Sequence, residues 1–179
     1  ANDYDGSSRV RWCSLAYWEL CTRVGRVFPV SKSVENVFGD MPHGDGLSLG
    51  TLATQNEAEC EVVKRTRAKI GFGLTLSRED DGVWLYNRGD FAVFVNSPTL
   101  TGPNRTTTIV HKVQPGYSVK IFDYAKSACY QSLQNPELLD GPIDHNSVRI
   151  SFVKGWGPKY SRQVITSCPC WLEVLLVPR

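Results

Sequence analysis

The chain of 179 residues predicts a mainly β protein, an antiparallel β-sandwich. Three observations carry that prediction. Short segments rich in β-branched and aromatic residues recur along the chain. Apolar and polar residues alternate within many of them, and Gly, Pro, Asn and Asp punctuate the gaps. Only two stretches show the periodicity of a helix instead.

In order, the expected strands are 12–20, 24–30, 34–38, 74–77, 83–86, 92–95, 109–113, 119–122, 148–152 and 171–177. Asp80-Asp81-Gly82 and Asn87-Arg88-Gly89 supply turn residues between consecutive strands. A first helix is expected over 56–70, where Ala58, Val62, Val63, Thr66 and Ile70 form a mostly apolar stripe that Glu59 interrupts. Asn56 is expected to cap it. Glu57, Glu59 and Glu61 suit its positive end, and Lys64, Arg65, Arg67 and Lys69 its negative end. A second helix is expected over roughly 123–133, since Pro136 and Gly141 prevent long continuation. Residues 1–9 are polar and read as a disordered linker remnant, leaving 10–179 as one domain.

Composition bounds the function. Hydrophobic residues make up 41% and charged residues 21%, ordinary for a globular protein. A net charge of +2 gives no reason to expect a nucleic-acid partner. No apolar run approaches the roughly 20 residues of a membrane span, and no secretory leader pattern opens the chain. The six cysteines are too sparse for a disulfide scaffold and are read as reduced thiols in an intracellular protein, which leaves the Asn104-Arg105-Thr106 sequon without a role. Cys168-Pro169-Cys170 has the spacing of neither a redox dithiol nor a zinc knuckle.

No cofactor or metal is expected. His43, His111 and His145 are scattered without ligand spacing, and no phosphate loop, nucleophile elbow or zinc-protease helix is present. The remaining enzymatic alternative is a Cys–His pair such as Cys168 with His111. An enzyme is not expected.

The most informative stretch lies between the apolar runs 148–152 and 170–177. Gly155 and Gly157 bracket Trp156, and Lys154, Lys159 and Arg162 crowd beside Trp156 and Tyr160. A shaped loop bearing cations suits an anion, and a phosphorylated peptide above all. Trp156 is read as the packing post, with Gly155 and Gly157 permitting close backbone approach and Tyr160 packing beside Arg162. On the first expected helix, Arg65 and Lys69 stand one turn apart and project together, whereas Lys64 and Arg67 point elsewhere. The competing reading of each segment is a solvated basic face.

Ser151-Phe152-Val153-Lys154-Gly155-Trp156-Gly157, then Tyr160, Arg162-Gln163 and Pro169-Cys170-Trp171, resemble the C-terminal MAD-homology domain of SMAD proteins. Trp12-Cys13-Ser14-Leu15-Ala16-Tyr17-Trp18-Glu19, Thr22-Arg23-Val24-Gly25-Arg26, Lys69-Ile70-Gly71 and Phe94-Val95-Asn96-Ser97-Pro98 match in order, so the likeness spans roughly residues 10 to 177. Lys69-Ile70-Gly71-Phe72-Gly73, Asp81-Gly82-Val83-Trp84, Tyr86-Asn87-Arg88 and Thr166-Ser167-Cys168-Pro169-Cys170-Trp171-Leu172-Glu173 are similar to the inhibitory SMADs. The Gly157-Pro158, Tyr160–Gln163 and Asn96–Leu100 segments look closer to the type that antagonises bone-morphogenetic-protein signals, although Lys159 and Val164 depart from it.

The resemblance implies a SMAD/FHA-like sandwich with a loop-helix region at one end and a reduced helical bundle at the other. It implies antagonism of transforming-growth-factor-β superfamily signalling by binding an activated type I serine/threonine kinase receptor through a basic groove. Carried onto this chain, the groove residues are Arg65, Lys69, Lys154 and Arg162. The alternative route is binding receptor-activated or common-mediator SMADs. DNA contacts of SMADs lie in a separate domain, so no direct nucleic-acid or membrane partner is expected. Leu175–Arg179 carries no Ser-x-Ser tail, which implies a monomer or weak self-associate, cytoplasmic and nuclear.

Overall fold

The computed structural model describes residues 10–40, 45–54, 56, 60–102, 109–133 and 144–179. The expected linker 1–9 lies outside the described residues. In chain order the strands are β1 (Cys13–Glu19), β2 (Thr22–Val30), β3 (Val34–Phe38), β4 (Gly46–Ser48), β5 (Leu74–Arg78), β6 (Gly82–Asn87), β7 (Val93–Asn96), β8 (His111–Val113), β9 (Ser118–Asp123), β10 (Ser147–Phe152) and β11 (Trp171–Leu176). One sheet has the order β2-β1-β11-β10-β7-β8 and the other β4-β3-β5-β6-β9.

Every neighbouring pair in the six-stranded sheet is antiparallel. The first and last strands pair along their length, from Cys13 opposite Leu176 to Trp18 opposite Trp171. The second sheet departs from the expected antiparallel pattern at its edge, where β4 runs parallel to β3. Three residues, Gly-Leu-Ser, are too short for alternation to announce a strand. Inward side chains of both sheets, among them Leu15, Tyr17, Ile150, Phe152, Leu172 and Val174 against Val37, Leu74, Leu76, Leu85 and Ile121, make the main core.

Among the described residues four helices decorate the sandwich: α1 (Leu49–Ala53), α2 (Glu61–Ala68), α3 (Pro98–Thr101) and α4 (Tyr124–Leu133). The helix α4 matches expectation to within a residue, and Asp123 caps it by accepting the Lys126 N–H at 2.9 Å. Both α1 and α3, like a 3-10 turn at Ile165–Ser167, are too short to show a periodic stripe.

The helix α2 corrects the sequence reading in three ways. It begins at Glu61, with Cys60 at the N-cap position and no side-chain cap. Asn56 does not cap it; its Nδ2 donates to Glu19 Oε1 at 3.1 Å. Val62, expected in the apolar stripe, is 40% exposed, and the docked face is Val63, Thr66 and Ile70. Positions 57–59, including Ala58 and two of the acidic residues, lie outside the described residues.

The basic residues of α2 divide as their angular positions require. Arg67 turns inward and grips buried Glu19 with two hydrogen bonds, Nε to Oε2 at 2.8 Å and a terminal nitrogen to Oε1 at 3.1 Å. Glu19 also accepts the Tyr17 hydroxyl at 2.7 Å. Arg65 points outward and pairs only loosely with Glu61, at 3.2 Å and in solvent.

The two ends of the sandwich are thereby distinct. At one lie the β1–β2 turn, α2 and the connection from β10 to β11. At the other, the Tyr124 N–H that opens α4 donates to the Asp81 carbonyl at 3.1 Å. A cleft of about 610 Å³ there is lined by Trp12, Arg78, Tyr124, Gln131 and Val177 among others.

The contrast between the two arginines is testable by denaturant unfolding. Arg67→Ala should lower stability by about 3–5 kcal/mol, since it leaves a buried carboxylate uncompensated. Arg65→Ala, at an exposed pair, should change it by less than about 0.5 kcal/mol. Equal effects would show that Glu19 does not depend on Arg67.

Candidate functional site

The site is built on the outer face of the six-stranded sheet. Strand register aligns one row across it: Trp18, Trp171, Ser151 and Phe94. The indoles of Trp18 and Trp171 stack at 5.1 Å between centroids and 9° between planes. Ser151 is the small member of the row, leaving a dip between Trp171 and Phe94. Over this face packs the connection from β10 to β11, whose Trp156, Ile165 and Cys168 bury themselves with Phe94 and Trp171 in a second apolar cluster.

Trp156 is 3% exposed and belongs to this cluster, not to the surface. Gly155 faces the ring of Tyr160, where a Cβ would come within 2.7 Å of ring carbons. Tyr160 meets the edge of Phe94, at 5.4 Å and 81°. Gly157 takes φ of +102°, which side chains rarely adopt. Its N–H donates to the Arg162 carbonyl at 2.8 Å, closing the loop on itself.

The backbone of Lys154 is fixed from three sides. Val153, just before it, has φ of +71°, an outlier for a β-branched residue. Its N–H donates to the Ala92 carbonyl at 3.0 Å. The Lys154 carbonyl accepts the Ser151 hydroxyl at 2.5 Å and the Cys168 thiol at 3.7 Å. The Arg162 guanidinium donates through Nε to the Ser167 carbonyl at 3.1 Å. It lies close enough to Cys168 to oppose the rise that burial imposes on that thiol's pKa. The Lys154 carbonyl and the Arg162 guanidinium thus flank Cys168, and both residues are half-buried, while Lys159 is exposed.

The helix contributes Lys69, exposed at the C-cap of α2, with Nζ 5.5 Å from the Phe91 ring centroid. Lys69 and Val153 line one small recess together with Phe91 and Phe152. The loop pair is therefore tied together at Cys168, and Lys69 shares a recess with the residue preceding Lys154. Arg65 stands a turn back on the helix, held by Glu61. Sequence reasoning missed Val153 and Phe91. Nothing in Phe-Val-Lys-Gly separates a left-handed valine from one more strand residue, and Phe91 falls just outside the expected strand 92–95 with no pattern to mark it.

The thiols do not favour nucleophilic chemistry. Burial pushes Cys13 and Cys170 from the ordinary 9.0 up to about 12, and raises Cys168 as well. A reactive cysteine needs the opposite shift. Cys168 is committed as a donor to Lys154. Among the described residues no cluster of three His, Cys, Asp or Glu is arranged for a metal, and no helix is long and apolar enough to cross a membrane. His43 lies outside the described residues.

Residues 10–177 match the family model described as the MH2 domain. The chain belongs to the MH2 domain family. This MH2 domain is 57% identical over 172 residues to Mothers against decapentaplegic homolog 6 of Gallus gallus, covering 96% of the chain and 39% of that protein. It is 47% identical over 171 residues to Mothers against decapentaplegic homolog 7 of Homo sapiens, covering 96% and 40%. The chain spans about two fifths of the length of these relatives. The inhibitory-SMAD resemblance of the sequence agrees with both. Two solved structures share the fold. One is STAT2 in complex with IRF9, with a TM-score of 0.62 at 10% identity, covering 96% of this chain and 93% of that one. The other is the IAD domain of interferon regulatory factor 9, with a TM-score of 0.59 at 11% identity, covering 95% and 84%.

The buried thiols predict an alkaline limit for the MH2 domain. Their folded pKa values exceed the unfolded ones, so the associated stability is intact below about pH 9 and is lost as pH rises toward about 12. At a pH between those limits, thiolate absorbance from Cys13 and Cys170 should appear only when denaturant is added. Their full ionisation in the folded protein would contradict the assignment.

Proposed function

We propose that this MH2 domain antagonises signalling of the transforming-growth-factor-β superfamily by occupying an activated type I receptor. Lys154 and Arg162 anchor phosphate, and Lys69 and Arg65 complete the positive field. The observation that carries this reading is that the Lys154 carbonyl and the Arg162 guanidinium both meet Cys168, on a backbone fixed by Ser151, Cys168 and Gly157. Cations held in place by their backbone lose less entropy on binding than free surface lysines do. Each charge-assisted hydrogen bond to phosphate contributes about 1.5–3 kcal/mol, against 0–1 for an ordinary surface pair.

The higher identity to homolog 6 than to homolog 7 supports the bone-morphogenetic-protein branch. Lys159 and Val164, where the loop departs from that type, are both exposed and so are positioned to alter receptor choice. Family membership also supports binding to other SMAD proteins as a second route. A cytoplasmic and nuclear location belongs to the same reading, as does a monomeric or weakly associating state.

The test compares phosphorylated and unphosphorylated type I receptor cytoplasmic domains by calorimetry at several salt concentrations. Wild type should prefer the phosphorylated form. Lys154→Glu with Arg162→Glu, in a protein whose melting temperature is preserved, should weaken that binding by at least about 100-fold and flatten its salt dependence. Unchanged affinity and unchanged salt dependence would sink the reading.

A further inference from the structure

Lys69 brings more than charge to this end of the molecule. Its Nζ lies over Phe91, and Phe91 is 43% exposed. That ring is not a loose surface residue, because the turn bearing it is fixed from beneath. Asn87, fully buried, donates its Nδ2 to the Phe91 carbonyl at 2.9 Å and to the Val113 carbonyl at 3.0 Å. Its Oδ1 accepts the Gly89 N–H at 3.0 Å. Beside Phe91 a recess of about 10 Å³, too small for a side chain, is walled by Phe152 and Val153, so the apolar surface offered to a ligand is the exposed ring itself. An apolar ring on a fixed turn thus sits next to Lys69, one of the cations assigned to phosphate.

We propose that the groove takes a composite ligand: a phosphorylated segment that also carries an aliphatic side chain, seated on the exposed face of the Phe91 ring beside Lys69. This inference rests on the phosphate-groove reading and deepens it. Charge selects the occupant. An apolar segment without acidic groups would desolvate Lys69 and give nothing back, whereas a phosphosegment supplies the counter-charge. Asp90, exposed and next to Phe91, repels phosphate from the ring itself, which leaves that spot to the uncharged side chain. The existing contact of Lys69 with the ring is weak and open to replacement: the ammonium turns to phosphate and the aliphatic group takes over the ring. Phosphate contacts alone distinguish poorly among phosphorylated segments, so the apolar subsite supplies selectivity.

The test uses short synthetic peptides of Gly and Ser with two phosphoserines and one Leu, the Leu placed at several distances from the phosphates, each with an Ala counterpart. Wild type should bind the best Leu peptide about five-fold more tightly than its Ala counterpart. Phe91→Ala should erase that preference and leave the Ala peptide unaffected, while Phe91→Leu should retain most of it. Melting curves confirm that each variant is folded, which is expected at an exposed ring. A Leu preference that survives in Phe91→Ala, an absent Leu preference in wild type, or an equal loss for both peptides would overturn the composite ligand while leaving the phosphate reading intact. If wild type ignores phosphorylation altogether, or Lys154→Glu with Arg162→Glu binds every peptide as wild type does, the underlying groove reading fails and this inference falls with it.

Discussion

The tip of the β1–β2 hairpin is the constraint on which the candidate site depends. At Glu19 a buried carboxylate is gripped by Arg67, Tyr17 and Asn56, which pins α2 to the sheet. At the next residue, the Leu20 N–H is shared between the carbonyls of Cys168 and Pro169, and its carbonyl accepts the Trp171 indole N–H at 2.8 Å. Helix and loop, more than eighty residues apart in sequence, are therefore held by adjacent residues of one turn. A buried ion pair gives little net stability by itself, because desolvation offsets the attraction. Its effect here is positional: it fixes which helical face meets the sheet, and so which cations remain outside.

That division decides what the surface can attract. Arg67 is spent on the interior, and Arg65 and Lys69 remain on the ridge. Arg65 is engaged by Glu61 only in solvent, an interaction of about a few tenths of a kcal/mol. Lys154 and Arg162 differ in kind, since their main chains are immobilised by Ser151, Cys168 and the carbonyl contact with Gly157. Val153 in a left-handed conformation stores about 1–3 kcal/mol that the surrounding contacts must hold. The second apolar cluster supplies that restraint.

Much of this was legible in the sequence, and the reasons for success and failure are physical. Ten of the strands were located from β-branched and alternating stretches; β8 is as short as β4 but lies in the apolar and β-branched stretch 109–113, whereas Gly-Leu-Ser at β4 has no such surroundings. The ridge of Arg65 and Lys69 followed from helical geometry alone. Asn56 read as a cap because Asn commonly caps helices, yet a buried carboxylate nearby offered its amide a stronger partner. Val62 entered the stripe by spacing, but a short helix on a curved sheet buries only the residues nearest its axis of contact, Val63 and Thr66. Val153 and Phe91 were beyond reach, since neither a left-handed φ nor the exposure of an aromatic is written in local pattern.

The outer cluster also explains how one scaffold can accept different loop surfaces. Trp156, Ile165, Cys168 and Trp171 are buried and mutually packed, so a change at any of them disturbs the path of the backbone that carries Lys154 and Arg162. Lys159, Ser161, Gln163 and Val164 lie between Trp156 and Ile165 along the chain but face solvent. Substitution at these positions alters charge and shape on the loop's exposed surface without touching the packing underneath. The departures at Lys159 and Val164 fall in this second set. Surface character and loop packing thus reside in different residues of the same short segment, and the first can vary while the second stays fixed.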